Sequence, residues 1–315
     1  MLAKLIKRSQ PWLLWMIALL GLGLRLYGLN WDQGYSFHPD ERQIMFHVTS
    51  LAWPTSLAQF FDAAHSPLNP HFFAYGSFPL YLLAGIGHLL VPATAPDSFI
   101  RITLVGRFLS ALFDSGTILL TGWLALLLVR QSPNLLPGAY HTWSRAWSVA
   151  LLTATLVAFI PLQLQLSHFY AVDTILLFFV MLTLVACVAL VQTEKPVRWL
   201  LLTGLAYGLA MATKFSAAPL ALPVLVALLL RGYRQRDYLS ALVFLFFIGA
   251  ITVLVFMVTQ PYALLDLPSF IQQVSEQGNM ARGLLDYPYV RQFAGTIPYL
   301  YQAQNMLLWG LGLTL

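Results

Sequence analysis

The stretch LSALVFLFFIGAITVLVFMVT, Leu239–Thr259, decides the class of fold, because twenty-one residues pass without one charged side chain. A helix of that length rises about 30 Å, the thickness of a bilayer's hydrocarbon core. Working outward, Trp12–Leu29, Val105–Val129, Ala146–Leu166 and Thr174–Val191 approach or exceed the same length of apolar sequence. Of the 315 residues 59% are hydrophobic and 9% charged, whereas a soluble domain carries about 25% charge. The chain reads as an all-α polytopic membrane protein.

The net charge of +5 does not point to nucleic acid, because the basic residues are dispersed between apolar runs. They report orientation instead. Lys4, Lys7 and Arg8 place the N-terminus in the cytoplasm, and no small-residue cleavage site follows the first run, which is expected to remain as an anchor. The segment Asn30–Thr103 then lies outside. Its apolar stretch Leu80–Val91 is too short to span and suits an interfacial helix. With that choice Arg130 and Arg145, Lys195 and Arg198, and Arg231, Arg234 and Arg236 all fall in cytoplasmic loops. The outer side receives 30–103, His168–Asp173 and Gln260–Thr296, where Leu267, Phe270, Ile271 and Val274 have helical spacing. Cys187 is the only cysteine and makes no intrachain disulfide.

Between Arg198 and Arg231 two pieces, Trp199–Ala212 and Ala217–Leu230, each rise only about 21 Å, which places Lys214 at membrane depth. A single membrane module over 1–315 is expected: spans 12–29, 105–129, 146–166, 174–191, 199–212, 217–230, 239–259 and 297–315, with a first outer loop, 30–103, carrying juxtamembrane helices. The last run stays apolar to Leu315, as in an N-terminal piece of a longer protein.

The candidate chemistry clusters outside. Phe37-His38-Pro39-Asp40-Glu41-Arg42 sets two adjacent carboxylates just beyond the first helix. Successive side chains diverge, so one can face a bound acceptor as a base while the other holds a partner or metal. The plainer role is a helix start, with Pro39 in the first turn and the acids favoured by the dipole. Asp173, after His168-Phe169-Tyr170-Ala171-Val172, has an N-cap as its plainer role. Lys214 needs an anion, and a phosphate would serve. Arg25, Arg107, Arg282 and Arg291 are further phosphate candidates, although snorkelling is the simpler role for Arg25 and Arg107 near outer helix ends. His38 and Glu41 are candidate metal ligands. His47, His65, His71 and His168 share the outer side, yet no HxxxH or HxH spacing occurs. A divalent metal is possible, and the sequence does not call for a particular cofactor. Phe72–Val91, with Tyr75, Phe78 and Tyr81, could line a lipid-carrier groove or form an aromatic belt.

Together these residues resemble the GT-C superfamily of membrane glycosyltransferases, in its protein O-mannosyltransferase and aminoarabinose-transferase branch of phospholipid carrier-dependent enzymes. The resemblance rests on Leu24-Arg25-Leu26-Tyr27-Gly28-Leu29 leading to His38-Pro39-Asp40-Glu41, on Arg107 opening a helix, on Tyr170-Ala171-Val172-Asp173 and on Gly208-Leu209-Ala210-Met211-Ala212-Thr213-Lys214, with Gln260-Pro261-Tyr262 adding support. It implies a GT-C helix bundle that transfers a hexosyl or pentosyl group with inversion. The donor would be a polyprenyl-phosphate sugar, the acceptor a lipid, glycan or protein hydroxyl, and the active site would face outward from the plasma membrane. Asp40 would match the base and Glu41 and Asp173 the acidic positions that tune the site. Arg107, Lys214, Arg282, His168 and Tyr170 would contact substrate or phosphate. Tyr75-Gly76-Ser77-Phe78-Pro79 stands where aminoarabinose transferases carry a phosphate-binding lysine, leaving Arg107, Arg282 and Lys214 as substitutes. Two rival readings remain, a transporter of a cell-envelope precursor with its site near the midplane and a non-enzymatic envelope scaffold.

Overall fold

A computed structural model describes residues 2–92, 94–131 and 142–312. The described residues contain helices and no strand. The long helices are α1 (Leu2–Leu26), α5 (Ser98–Gln131), α6 (Thr142–Phe159), α8 (Val172–Gln192), α9 (Val197–Thr213), α10 (Ala221–Gln235) and α11 (Tyr238–Thr259). Short helices cap one end of the bundle: α2 (Pro39–Val48), α3 (Leu57–Phe61), α4 (Ser77–Leu90), α7 (Pro161–Ser167), α12 (Tyr262–Leu265), α13 (Leu267–Ala281) and α14 (Leu300–Asn305). We refer to this as the loop end, and to the end bearing Arg198, Arg231 and Arg236 as the basic end.

Four stretches are long and apolar enough to cross a membrane: Ser98–Arg130, Val172–Gln192, Phe215–Gln235 and Tyr238–Thr259. A fifth joins α6 and α7 across a 58° bend. The chain is a multi-pass membrane protein.

Three expectations need correction. The run 146–166 is not one helix, because Pro161 has no N–H to donate and the helix breaks at Ile160, bending onto α7. The piece 217–230 is a 3-10 turn, Phe215–Leu220, continuing into α10, and the two together reach spanning length. Lys214 closes α9, which rises about 26 Å from the basic end, and sits beside Asp173 at the loop end. Finally, 297–315 supplies only α14 and a π turn, Met306–Gly310, too short to span; residues 313–315 lie outside those described.

The main core explains why the cap is held so firmly. Ile44, Met45 and Val48 of α2 and Leu80 and Leu83 of α4 are fully buried against Ile102 of α5 and Ile175 of α8. A second cluster, Leu190, Trp199, Val224, Leu228 and Ile248, closes the basic end. In α9, Gly204 and Gly208 lie one turn apart, and a Cβ on either would press into Ile251 or Val255 of α11. Their small size lets the two backbones approach closely, as membrane helices do where small residues meet.

Breaking the chain at Lys214 frees backbone groups that must find partners. The Thr213 carbonyl accepts from Gly76 N–H at 2.9 Å, and the Ala218 carbonyl accepts from the Tyr207 hydroxyl at 2.8 Å. The Gly76 contact brings the first loop onto the broken helix, and a Cβ at Gly76 would run into the Ala212 carbonyl.

Candidate active site

Helix α2 starts with Pro39 in its first turn, His38 as N-cap and Asp40 and Glu41 following. Neighbouring helix positions point roughly 100° apart, so the two acids take opposite roles. Glu41 turns inward and is fully buried, while Asp40 stays half-buried at the surface.

Glu41 meets Arg107 as a two-pronged pair, Nε to Oε1 at 2.9 Å and Nη2 to Oε2 at 2.6 Å. The same guanidinium holds Asp32 through 2.9 and 2.6 Å bonds and donates to the Leu29 carbonyl at 2.7 Å. All five donors of an arginine are thereby engaged. Tyr170 N–H donates to Glu41 Oε1 at 2.8 Å, and the Tyr170 hydroxyl donates to the Pro79 carbonyl at 2.7 Å. Trp31 lies 5.6 Å from the Arg107 guanidinium and covers it. The ring of contacts ties α2, α4, α5 and the approach to α8 into one frame and fixes the backbone that carries Asp40.

Several site expectations change accordingly. Arg107 neither opens a helix nor snorkels: it lies ten residues into α5, 1% exposed at its side chain, and has no donor left for a phosphate. Tyr170 is fully buried and acts as a strut instead of touching a substrate. The His168 ring bridges the Leu164 and Tyr27 carbonyls at 2.6 and 2.9 Å, joining α7 to the end of α1, so both ring nitrogens are engaged. Both oxygens of Glu41 are taken, so His38 and Glu41 do not form a metal pair; His38 stacks on Phe169 at 4.2 Å. Among the described residues no three His, Cys, Asp or Glu side chains group as a metal site. Arg25 does not snorkel either, being buried with its Nε 2.5 Å from Asp114 and Nη1 3.1 Å from the Ala158 carbonyl.

The accessible groups gather around Tyr75. Lys214 Nζ lies 3.2 Å from Asp173 Oδ1, with side chains 32% and 38% exposed, and 5.7 Å from the Tyr75 ring centre. Asp173 makes no capping bond, so the N-cap role is not the one it fills. The Tyr75 phenol is held well above its ordinary pKa, first by burial and then by the negative charge of Asp40 and, more weakly, of Asp173. Tyr75 therefore stays protonated between the two acids. Beside it a cavity of about 280 Å³ is lined by Tyr75, Lys214, Gln260, Phe270 and Gln277. Gln260 is held in place, its Oε1 accepting from Ser77 N–H at 3.3 Å. A wider cavity of about 810 Å³ adjoins it through Gln277 and Ala281 and is lined by Arg282, Tyr289 and Arg291. Arg282 is exposed there and forms no ion pair among the described residues, while Arg291 is bound to Asp286 by two 2.7 Å contacts.

Sequence reasoning missed Asp32 and underrated Tyr75. The first had one available signal, an extra acid in a nearly chargeless chain immediately after α1. The second had none, since its position depends on Gly76 docking against Thr213.

Residues 139–261, less than half the chain, match the family model for dolichyl-phosphate-mannose-protein mannosyltransferase. No curated protein matches the sequence. A chain in the structure of the S. cerevisiae protein O-mannosyltransferase Pmt1-Pmt2 complex bound to the sugar donor is similar to 83% of this chain, at 16% identity and a TM-score of 0.57. The fold is of the protein O-mannosyltransferase, GT-C type. That likeness takes in 34% of the yeast chain, so this protein spans about a third of its length. The segment that matches the mannosyltransferase model contributes Asp173, Lys214 and Gln260 to the site, whereas Asp40, Tyr75 and Arg107 come from outside it.

Proposed function

We propose that the chain is the catalytic module of an inverting glycosyltransferase that moves a sugar from a polyprenyl-phosphate donor to a hydroxyl acceptor at the extracytoplasmic face of the plasma membrane. The observation that carries this reading is the meeting of Asp40, Asp173 and Lys214 around Tyr75, beside a cavity at the loop end. Direct displacement at an anomeric carbon needs two things: a base for the attacking hydroxyl and a cation for the departing phosphate. Asp40, half-buried on a rigid helix start, serves as the base. Lys214, with Asp173 steadying its ammonium, receives the phosphate, and Arg282 is the second cation near enough to the cavities to assist.

Glu41 and Arg107 act by position. A base must hold its geometry within a fraction of an ångström, and the Arg107 frame immobilises the first turn of α2 from beneath. The name of the family model supports a lipid-phosphate mannose donor; the yeast complex is a protein O-mannosyltransferase, and at 16% identity its acceptor is not carried over to this chain. The dispersed basic clusters support the orientation, because they lie opposite the loop end.

The test is transfer of radiolabelled sugar from polyprenyl-phosphate donors in membranes carrying the full-length gene product, comparing wild type with an Asp40→Asn variant that still inserts. Loss of transfer in the variant is expected. Undiminished transfer removes Asp40 as base, and no transfer by wild type across a panel of donors sinks the reaction class.

A further inference from the structure

The segment after α13 walls the 810 Å³ cavity and presents an aromatic surface there. The rings of Tyr287 and Tyr289 stack in parallel, 5.6 Å apart at 20°. Their hydroxyls are pinned, Tyr287 donating to Glu276 Oε1 at 2.8 Å and Tyr289 contacting Met280 Sδ at 3.1 Å. One face of Tyr289 is thus covered by Tyr287, yet the residue remains 61% exposed and lines the 810 Å³ cavity. An interfacial belt tyrosine leaves its hydroxyl to the headgroup region, whereas both of these hydroxyls are tied inward.

We infer that Tyr289, backed by Tyr287, is the binding platform for a saccharide acceptor, seated in the 810 Å³ cavity that adjoins the Tyr75–Lys214 cavity. The inference rests on the glycosyltransferase reading and names its acceptor class. A pyranose has an apolar C–H face and a rim of hydroxyls. The face packs on the negative surface of a tyrosine ring. The rim finds the Gln277 and Gln302 amides and the paired Arg291 and Asp286 groups around the cavity. A peptide acceptor bound by strand addition is not favoured, since no strand edge occurs among the described residues.

The experiment measures saturation-transfer NMR from full-length protein in nanodiscs to maltotriose, mannotriose and triacetylchitotriose. Binding of at least one trisaccharide is expected, about tenfold weaker in Tyr289→Ala and close to wild type in Tyr289→Phe, which keeps the ring. Thermal stability of Tyr289→Ala should be unchanged, because the side chain is exposed. No binding by wild type, or equal binding by Tyr289→Ala, overturns the proposal. The Asp40→Asn variant should retain binding while losing transfer. If it retains transfer, the base assignment fails and the platform still stands or falls on the binding data. Offering the bound trisaccharide free or on an alkyl anchor to the transfer reaction separates a soluble glycan from a lipid-linked one. Both results support the platform, and faster transfer to a serine or threonine peptide than to either overturns it.

Discussion

Removing Arg107 should damage this protein more than removing either acid it holds, and the charge balance of the buried cluster says why. Arg107, Asp32 and Glu41 together carry one positive and two negative charges, all with side chains essentially out of solvent. Glu41→Gln leaves a balanced Arg107–Asp32 pair, and the amide oxygen can still accept from Tyr170 N–H. Its cost is that of weakened and mismatched hydrogen bonds, about 1–3 kcal/mol. Arg107→Met leaves two buried carboxylates facing each other without a cation, and breaking a buried pair costs about 3–5 kcal/mol. With about 2–4 °C of melting temperature per kcal/mol for a chain of this order of size, Arg107→Met should lower the apparent Tm by about 8–16 °C and Glu41→Gln by about half as much. Adding Glu41→Gln to Arg107→Met should cost less than it does alone, because it removes one of the two repelling charges. The assay is fluorescence-detected unfolding of detergent-purified single and double variants. Equal or greater stability of Arg107→Met relative to Glu41→Gln, or strict additivity in the double variant, refutes the charge reasoning.

Other outcomes follow from the same geometry. Lys214→Met should lower sugar transfer by about 10²–10³, the scale of losing one charge-stabilising donor. Because its pair with Asp173 is partly exposed, stability should change by less than about 1 kcal/mol; a variant that transfers normally excludes Lys214 from the phosphate site. Gly76→Ala should lower both expression of folded protein and transfer, since its Cβ meets the Ala212 carbonyl, whereas Gly85→Ala, with open space around it, should be neutral; equal behaviour in a thermal-stability and transfer comparison contradicts the docking of the first loop on the broken helix. Burial pulls the Asp32 pKa upward, but hydrogen bonds from Arg107 and the Gly34 N–H outweigh it, and the net value lies below 3.8. A depressed folded value contributes stability above the unfolded value that is lost as pH falls through the folded one. Wild-type Tm should therefore decline below about pH 4, and the acid dependence should be shallower in Asp32→Asn over a pH 5 to 2.5 series.

The sequence by itself determined the class of fold. Apolar runs as long as Leu239–Thr259 have no stable solution in water, and backbone groups inside lipid must pair within a helix, so composition and length were sufficient. It also exposed Asp40, Asp173 and Lys214, because charges are rare enough in such a chain to stand out. Periodicity could not distinguish a straight helix from the pair bent at Pro161, since both halves are equally apolar.

What the tertiary structure alone decided was the role of each charge. Arg107, Glu41 and Tyr170 looked like substrate contacts because arginines, acids and tyrosines serve that purpose elsewhere. Their burial and mutual hydrogen bonds make them the frame that holds Asp40. Asp32 joined that frame from 75 residues away in sequence, and Tyr75 reached Asp40 and Asp173 only because Gly76 fits against the carbonyl freed at Lys214. Pairings of this kind depend on how α2, α5, α8 and α9 cross, and a linear pattern of residue types carries no information about which of several distant charges will meet in space.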